Sequence, residues 1–215
     1  MADQFSRTRL LVGDEPLARL AAAKVAVFGV GGVGGFCVEA LARAGVGTLH
    51  LYDDDTVSES NLTRQIVALH STIGQPKAEV MARRVLDINP ACQVEVFRMF
   101  YLPENAVQVD LSQYDYVVDC IDTVAAKLDL VERCTTLQGS ILSAMGSGNK
   151  LDPTAFRVTD LSKTQGCPLA RVMRKELRKR GITHLKVVYS TEEPLTPLQP
   201  AEEEAPAGTD TRPRS

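Results

Sequence analysis

The amino-acid sequence predicts an α/β protein with a doubly wound, mostly parallel sheet and helices on both faces. Short apolar segments such as residues 24–28 (KVAVF) alternate with longer segments of helical periodicity. A strand that is apolar along its whole length is typical of a parallel sheet covered on both sides. A glycine-rich turn directly after this strand indicates the Rossmann-like form of the architecture.

The first predicted elements surround this turn. Residues 15–23 are rich in Leu and Ala, which favours a short helix before the strand at 24–28. Residues 36–44 (FCVEALARA) have helical periodicity, and Gly45 is a typical helix end. Residues 48–52 (TLHLY) are then predicted to form the second strand.

A third predicted helix covers residues 76–88, with Pro76 in the first turn, where a missing N–H costs nothing. Its apolar stripe consists of Val80, Met81, Val85 and Ile88. Asn89 and Pro90 end the helix, because the residue before a proline avoids helical geometry. Residues 93–97 (QVEVF) alternate with the two-residue period of a strand.

The remaining elements follow from the same two periodicities. They are strands at residues 116–120, 140–144, 155–158 and 185–189, and helices at residues 124–137 and 168–180. The strand at 155–158 is expected to leave the parallel order. The alternation of strands and helices implies right-handed crossovers within the parallel part of the sheet.

Composition divides the 215 residues into one predicted domain and a tail. The chain is 44% hydrophobic and 24% charged, which is an ordinary globular balance. From residue 196 the sequence is dominated by Pro and Glu and cannot bury enough apolar surface to order itself. We therefore predict a nucleotide-binding domain over residues 1–195 and a disordered tail or linker over residues 196–215.

The net charge of −3 argues against a protein whose main task is to bind bare nucleic acid. Any RNA contact would need a local basic surface. The candidate residues, on the last predicted helix and just beyond it, are Arg171, Arg174, Lys175, Arg178, Lys179, Arg180 and Lys186. The sequence leaves open whether they contact RNA or form a solvated helix face.

The cysteine pattern and the N-terminus indicate where the protein works. Five cysteines occur without a C-x-x-C pair, which argues against a structural zinc site and favours reduced thiols in the cytoplasm. The N-terminal residues do not resemble a signal peptide. The sequence contains no apolar run of about 18 residues, so no membrane span is expected.

Residues 29–34 (GVGGVG) fit the phosphate-binding pattern G-x-G-x-x-G between a strand and a helix. Glycines allow backbone N–H groups to approach phosphate oxygens, and the helix that follows adds its positive amino end. Asp53, about 20 residues later at the end of the second strand, is suited to accept hydrogen bonds from both ribose hydroxyls. The motif alone does not distinguish NAD, FAD and ATP.

Cationic residues near Asp53 favour ATP over a dinucleotide. Arg64 can bind phosphate oxygens through two N–H groups, and Lys77 can supply a point charge. A triphosphate needs such cations, whereas the pyrophosphate of a dinucleotide is held by the glycine loop. Asn61 is a candidate for a hydrogen bond to a phosphate or to a metal-bound water. Asp122, after the strand at 116–120, is a candidate to hold magnesium or water bound to it. Asp119, inside that strand, is interpreted as structural.

The segments GVGGVG, DDDTVSESNLTRQ, GQPKAE and VVDCIDT together resemble the adenylating family of ubiquitin-activating enzymes and their bacterial relatives ThiF and MoeB. The roles that the resemblance implies are phosphate contacts from Gly29, Gly31, Gly32 and Gly34, a ribose contact from Asp53 with Asp55 in the same site, triphosphate contacts from Asn61, Arg64 and Lys77, and a magnesium link through Asp122. It further implies a homodimer in which Arg7 reaches the partner's site, with Arg9 as the alternative.

Several segments are similar to one branch of that family, the tRNA threonylcarbamoyladenosine dehydratases. They are residues 4–7 (QFSR), 88–90 (INP), 145–154 (MGSGNKLDPT), 160–164 (DLSKT) and 189–192 (YSTE). The resemblance implies ATP and Mg²⁺ as cofactors, modified tRNA as substrate and sulfur-relay proteins as possible partners. Family members continue further, so we expect the C-terminal part of the family domain to be missing here.

Three other functions are kept as alternatives. One is adenylation of the C-terminus of a ubiquitin-like sulfur-carrier protein, which shares the chemistry but not the substrate. Another is an NAD-dependent oxidoreductase, against which Arg64 and Lys77 argue. The last is a binding module that holds ATP without turnover. Cys167 is considered as a nucleophile, but the sequence shows no neighbouring base for it.

Overall fold

A single sheet carries the architecture. Over residues 3–198, the part of the chain that the computed structural model describes, its strands are β1 (Lys24–Phe28), β2 (Thr48–Tyr52), β3 (Gln93–Phe97), β4 (Tyr116–Asp119), β5 (Ile141–Ala144), β6 (Phe156–Asp160) and β7 (Lys186–Ser190). Their order is β3-β2-β1-β4-β5-β7-β6. Every neighbouring pair is parallel except β6–β7. The predicted mostly parallel sheet, and the departure of β6 from it, are confirmed.

Helices cover both faces of the sheet. They are α1 (Ser6–Val12), α2 (Asp14–Ala22), α3 (Gly34–Ala44), α4 (Lys77–Ile88), α5 (Val124–Thr136) and α6 (Pro168–Lys179). On one face, Val27 and Leu51 share a buried cluster with Val38 of α3 and with α4. On the other face, Phe28 shares a cluster with α5, and α5 in turn packs on α6. Successive residues of β1 therefore serve opposite layers.

The differences from the predicted elements have local causes. The helix α1 was not predicted: none of its residues is buried, and Leu10 and Leu11 are 86% and 87% exposed, so no amphipathic stripe marks it. The helix α3 begins at Gly34 instead of residue 36, because its first turn belongs to the glycine loop, whose residues have low helix propensity. Pro76 is the N-cap of α4 instead of its first residue.

The predicted tail lies almost wholly outside the described residues. Residues 196–198 carry no helix or strand, and residues 199–215 are not described. The disordered tail over 196–215, and the domain boundary before it, therefore stay predictions. Within residues 3–198, none of the helices has the length and apolar character needed to cross a bilayer.

Candidate nucleotide-binding site

A cleft of about 920 Å³ opens at the carboxyl ends of β1, β2, β4 and β5. Ligands of doubly wound sheets bind at this edge, where the strand order reverses on either side of β1. Predicted site residues that line the cleft are Gly29, Gly31, Gly32, Asp53, Asp55, Arg64, Lys77 and Asp122. Gly34, Asn61 and Arg7 are not among the lining residues.

The four predicted glycines have two different roles. Gly29 has a φ of +87°, and a Cβ added there would lie 2.8 Å from the carbonyl oxygen of Cys120. A Cβ at Gly34 would lie 1.7 Å from the carbonyl oxygen of Gly29, so α3 can contact the loop only with glycine there. A Cβ added at Gly31 would lie 3.7 Å from the nearest atom of a more distant residue, and one added at Gly32 would lie 3.5 Å from such an atom. These two leave open backbone for a ligand, whereas Gly34 packs behind the loop.

Asp53 is tied to the glycine loop. Its Oδ2 accepts a hydrogen bond from the backbone N–H of Val30 at 2.6 Å, and its Oδ1 accepts one from Asp55 at 2.9 Å. Burial raises the pKa of the Asp53 carboxyl, while these two N–H groups and the charge of Lys77 oppose the shift. An ionised carboxylate has about four acceptor positions, so the Asp53 carboxylate retains capacity for hydroxyl donors from a ligand.

Lys77 is a buried cation at the cleft wall. It is 5% exposed at the start of α4, and its Nζ lies 2.9 Å from Oδ2 of Asp55. The backbone N–H of Lys77 also donates to the carbonyl of Asp55 at 2.9 Å. The ammonium has three donors, so one bond to Asp55 leaves others for phosphate oxygens. The low local dielectric strengthens any such contact.

Arg64 and Asn61 lie in one turn but have different surroundings. Arg64 is exposed, lines the cleft and donates through Nη1 to the carbonyl of Ser60 at 2.9 Å. Asn61 is buried, and its Oδ1 accepts the backbone N–H of Ser58 at 3.0 Å. The side chain of Asn61 thus caps the turn that carries Arg64 through its oxygen, and the phosphate contact expected of its amide N–H groups stays a prediction.

The two aspartates after β4 also separate. Asp119 is fully buried and accepts hydrogen bonds from Lys127 at 3.0 Å and Ser143 at 2.5 Å, which agrees with its structural interpretation. Asp122 is exposed and lines the cleft. Within residues 3–198, no group of three or more His, Cys, Asp or Glu could hold a metal ion. A magnesium ion held by one carboxylate and phosphate oxygens would still fit this site.

The two N-terminal arginines lie far from their own cleft. Phe5, just before α1, packs against Gly45 at the end of α3 and therefore beside the amino ends of the strands. Arg7 is exposed on α1 at this opposite edge. Arg9 is bound to Asp3 at 2.8 Å and to Asp14 at 2.7 Å, so it stabilises its own segment.

Sequence reasoning missed a large part of the lining. It comprises Met99, Phe100 and Tyr101 after β3, and Met145, Ser147, Gly148 and Asn149 after β5. Tyr101 is held by hydrogen bonds with Asp129 and Arg133. The rule that ligands bind beyond the carboxyl ends of parallel strands would have selected both segments. Their residue types carry no phosphate-binding signature of their own.

Both the sequence and the fold of this chain are similar to those of known proteins. The ThiF family model matches residues 5–191. The chain is 46% identical over 196 residues to the tRNA threonylcarbamoyladenosine dehydratase of Bacillus subtilis (strain 168), which covers 91% of this chain and 77% of that protein. The structure of the E. coli enzyme TcdA in complex with ATP matches with a TM-score of 0.86 at 40% identity, covering 90% of this chain and 83% of that one. Its complex with AMP gives 0.86 at 39%, covering 92% and 84%.

The fold and the cleft thus define a nucleotide-binding protein of the doubly wound α/β class. Its glycine loop, the aspartates after its second strand and its buried lysine all line this cleft. The chain belongs to the ThiF family.

Proposed function

We propose that this chain is an ATP-dependent tRNA threonylcarbamoyladenosine dehydratase. It adenylates the threonyl carboxylate of the modified adenosine next to the anticodon, so that the side chain cyclises with overall loss of water. The observation that carries the proposal is the likeness, at 40% identity and a TM-score of 0.86, to an ATP complex of such an enzyme. The cleft with Gly31, Asp53 and Lys77 supplies the matching chemistry.

Nucleotide binding uses backbone more than side chains. The N–H groups around Gly31 and Gly32 face the phosphates, and the amino end of α3 adds its positive dipole. Asp53 accepts the ribose hydroxyls while holding Val30 of the same loop. ATP binding and loop geometry are therefore coupled through one carboxylate.

Activation begins when a carboxylate oxygen of the threonyl group attacks the α-phosphorus of ATP. The bond to the departing pyrophosphate breaks, and an acyl-adenylate forms. We assign Lys77 and Arg64 to the negative charge that develops on the phosphates, because both line the cleft and one is buried. Asp122 would hold a magnesium ion, whose positive charge neutralises the phosphates when bound.

Ring closure follows inside the same molecule. The neighbouring carbamoyl group attacks the activated carbonyl, loses a proton, and AMP departs with the original carboxylate oxygen. Since the nucleophile is tethered, proximity supplies about 7–11 kcal/mol in well-oriented cases. The residues after β5, on the wall away from the phosphates, are positioned to enclose this end of the substrate.

The test is AMP release from ATP by the purified chain, with and without tRNA bearing threonylcarbamoyladenosine. We expect AMP only with modified tRNA, together with loss of one water mass from the nucleoside. ATP binding without AMP would contradict the proposal. AMP release that requires a Gly-Gly-tailed protein instead would support the sulfur-carrier alternative.

Loss of Asp53 should act on nucleotide binding. For Asp53→Ala we expect ATP affinity to fall about ten- to a hundredfold, because two hydroxyl contacts and the anchor of Val30 are lost together. Calorimetric titration with ATP measures the effect. Asp54→Ala, at the next position of the same cleft, is the matched control. Equal affinities for Asp53→Ala and the wild type would remove Asp53 from the ribose role.

The position of Arg7 is the basis for proposing a homodimer. Since Arg7 lies at the sheet edge opposite its own cleft, we propose that it serves the site of a second subunit in a homodimer. Arg7→Ala and Lys77→Ala chains should each be inactive alone. Mixed and allowed to exchange subunits, they should recover about a quarter of wild-type activity, since half the dimers carry one intact site. No recovery in verified mixed dimers would contradict the assignment.

The cellular setting is also part of the proposal. All five cysteines are free, which supports a reducing compartment such as the cytoplasm. Sulfur-relay protein partners, which the family resemblance implies, stay a prediction.

A further inference from the structure

The helix α6 and the residue after it concentrate positive charge in a chain of net charge −3. Residues 168–180 contain six basic side chains and a single acidic one, Glu176. The apolar side of the helix is buried through Ala170, Met173 and Leu177. The remaining surface therefore consists largely of cations, and the contacts of each decide what it can do.

Three of these cations stabilise the protein itself. The Nη1 group of Arg174 donates to the carbonyl and the hydroxyl of Thr164 at 2.9 and 2.6 Å. Lys179 pairs with Glu176 at 2.7 Å. Arg180 reaches Glu132 of α5 at 3.2 Å. Arg174 and Arg180 thus tie α6 to the segment before it and to α5, and the carboxylates of Glu176 and Glu132 already have cationic partners.

The other three cations share one exposed face. Arg171, Lys175 and Arg178 stand four and three residues apart, which places them in line along a helix. All three are exposed, and within residues 3–198 none of them forms a salt bridge with a carboxylate. The acidic residue beside this row, Glu176, is already paired with Lys179, so the row remains complementary to a polyanion.

This row starts beside the cleft. A Cβ added at Gly146 would lie 3.8 Å from Cβ of Leu169 and 3.9 Å from Sγ of Cys167, so the first turn of α6 packs on the loop after β5. Met145 and Ser147 of that loop line the cleft. Twelve helical residues extend about 18 Å from this point. A polymer with one unit in the cleft could continue along the row.

We propose that Arg171, Lys175 and Arg178 bind the phosphodiester backbone of the RNA whose modified nucleoside occupies the cleft. The inference rests on the proposed function and adds where the rest of the substrate lies. These three cations would contact phosphates, so they set the affinity and orientation of the RNA and do not distinguish its bases. Arg171, nearest the cleft, fixes the nucleotides adjoining the reacting one, and Lys175 and Arg178 hold those further away.

The test compares two variants that remove the same charge. Lys175→Gln with Arg178→Gln neutralises the far end of the row, and Arg43→Gln with Arg83→Gln neutralises two exposed arginines on α3 and α4, across the sheet. Affinity for unfractionated tRNA is measured by fluorescence anisotropy between about 50 and 200 mM salt. For the first variant we expect at least tenfold weaker binding and a salt slope smaller by about 1–2. The KM for modified tRNA should rise in parallel, with ATP affinity unchanged.

The outcomes distinguish a wrong docking face from a wrong proposed function. If the wild type binds no tRNA, the proposed function fails. If the wild type binds tRNA and both double variants bind it as tightly as the wild type does, the proposed function is unaffected and this docking face is wrong. Competition by polyglutamate but not by RNA would assign the face to an acidic protein segment and overturn the inference.

Discussion

Replacing Lys77 with methionine is expected to lower the rate of AMP formation about a hundred- to a thousandfold, while the free energy of unfolding changes little. Methionine keeps the length and apolar stem of lysine but removes the charge. In the wild type that charge sits 5% exposed at the cleft, where water screens it poorly. Its loss leaves the developing phosphate charge without its buried cation.

The free energy of unfolding should change little because the carboxylate that pairs with Lys77 can be hydrated instead. The side chain of Asp55 is 44% exposed, so it is hydrated when the lysine is removed. Single-turnover AMP formation and thermal unfolding are measured on the same preparation. Arg83→Met, an exposed arginine on the same helix, is the control for losing one positive charge. Near-normal turnover by the Lys77 variant would disprove its role at the phosphates.

Most strands of the fold could be predicted closely, since they are short segments that are apolar throughout or that alternate apolar and polar residues. The bounds of β1, β2 and β3 agree with the sequence prediction at both ends. The prediction for the edge strand β6 began one residue early and ended two residues early, because Thr159 and Asp160 pair with β7 through backbone bonds that need no apolar side chain. The short helix α1 has no hydrophobic periodicity in the sequence, because it buries none of its residues.

The site was predictable where residue type and chemistry coincide. Gly31, Asp53 and Lys77 do line the cleft, as the motif spacing led us to expect. The packing role of Gly34 and the capping role of Asn61 depend on contacts made only after folding. A sequence motif alone cannot separate a glycine that contacts a ligand from one that contacts the backbone behind it.

A second buried lysine should behave in the opposite way to Lys77. Lys127 on α5 pairs with Asp119 of β4 at 2.9 Å, and both side chains are 0% exposed. Its Nζ also donates to the carbonyl of Ile121 at 2.8 Å. Lys127→Met is therefore expected to lower the free energy of unfolding by about 3–5 kcal/mol, because it leaves a carboxylate buried without its cation. Urea unfolding followed by circular dichroism measures the change.

The double variant isolates the cause. Asparagine at position 119 removes the stranded charge and can still accept one hydrogen bond from Ser143 or from the N–H of Ile121, which now donate to Asp119. We therefore expect Lys127→Met with Asp119→Asn to be more stable than Lys127→Met alone, with a coupling energy of about 1–3 kcal/mol. A Lys127→Met protein within about 1 kcal/mol of wild type would show that the pair contributes little. Loss of stability in the single variant and recovery in the double one would assign this lysine to the fold and leave Lys77 as the buried cation available for chemistry.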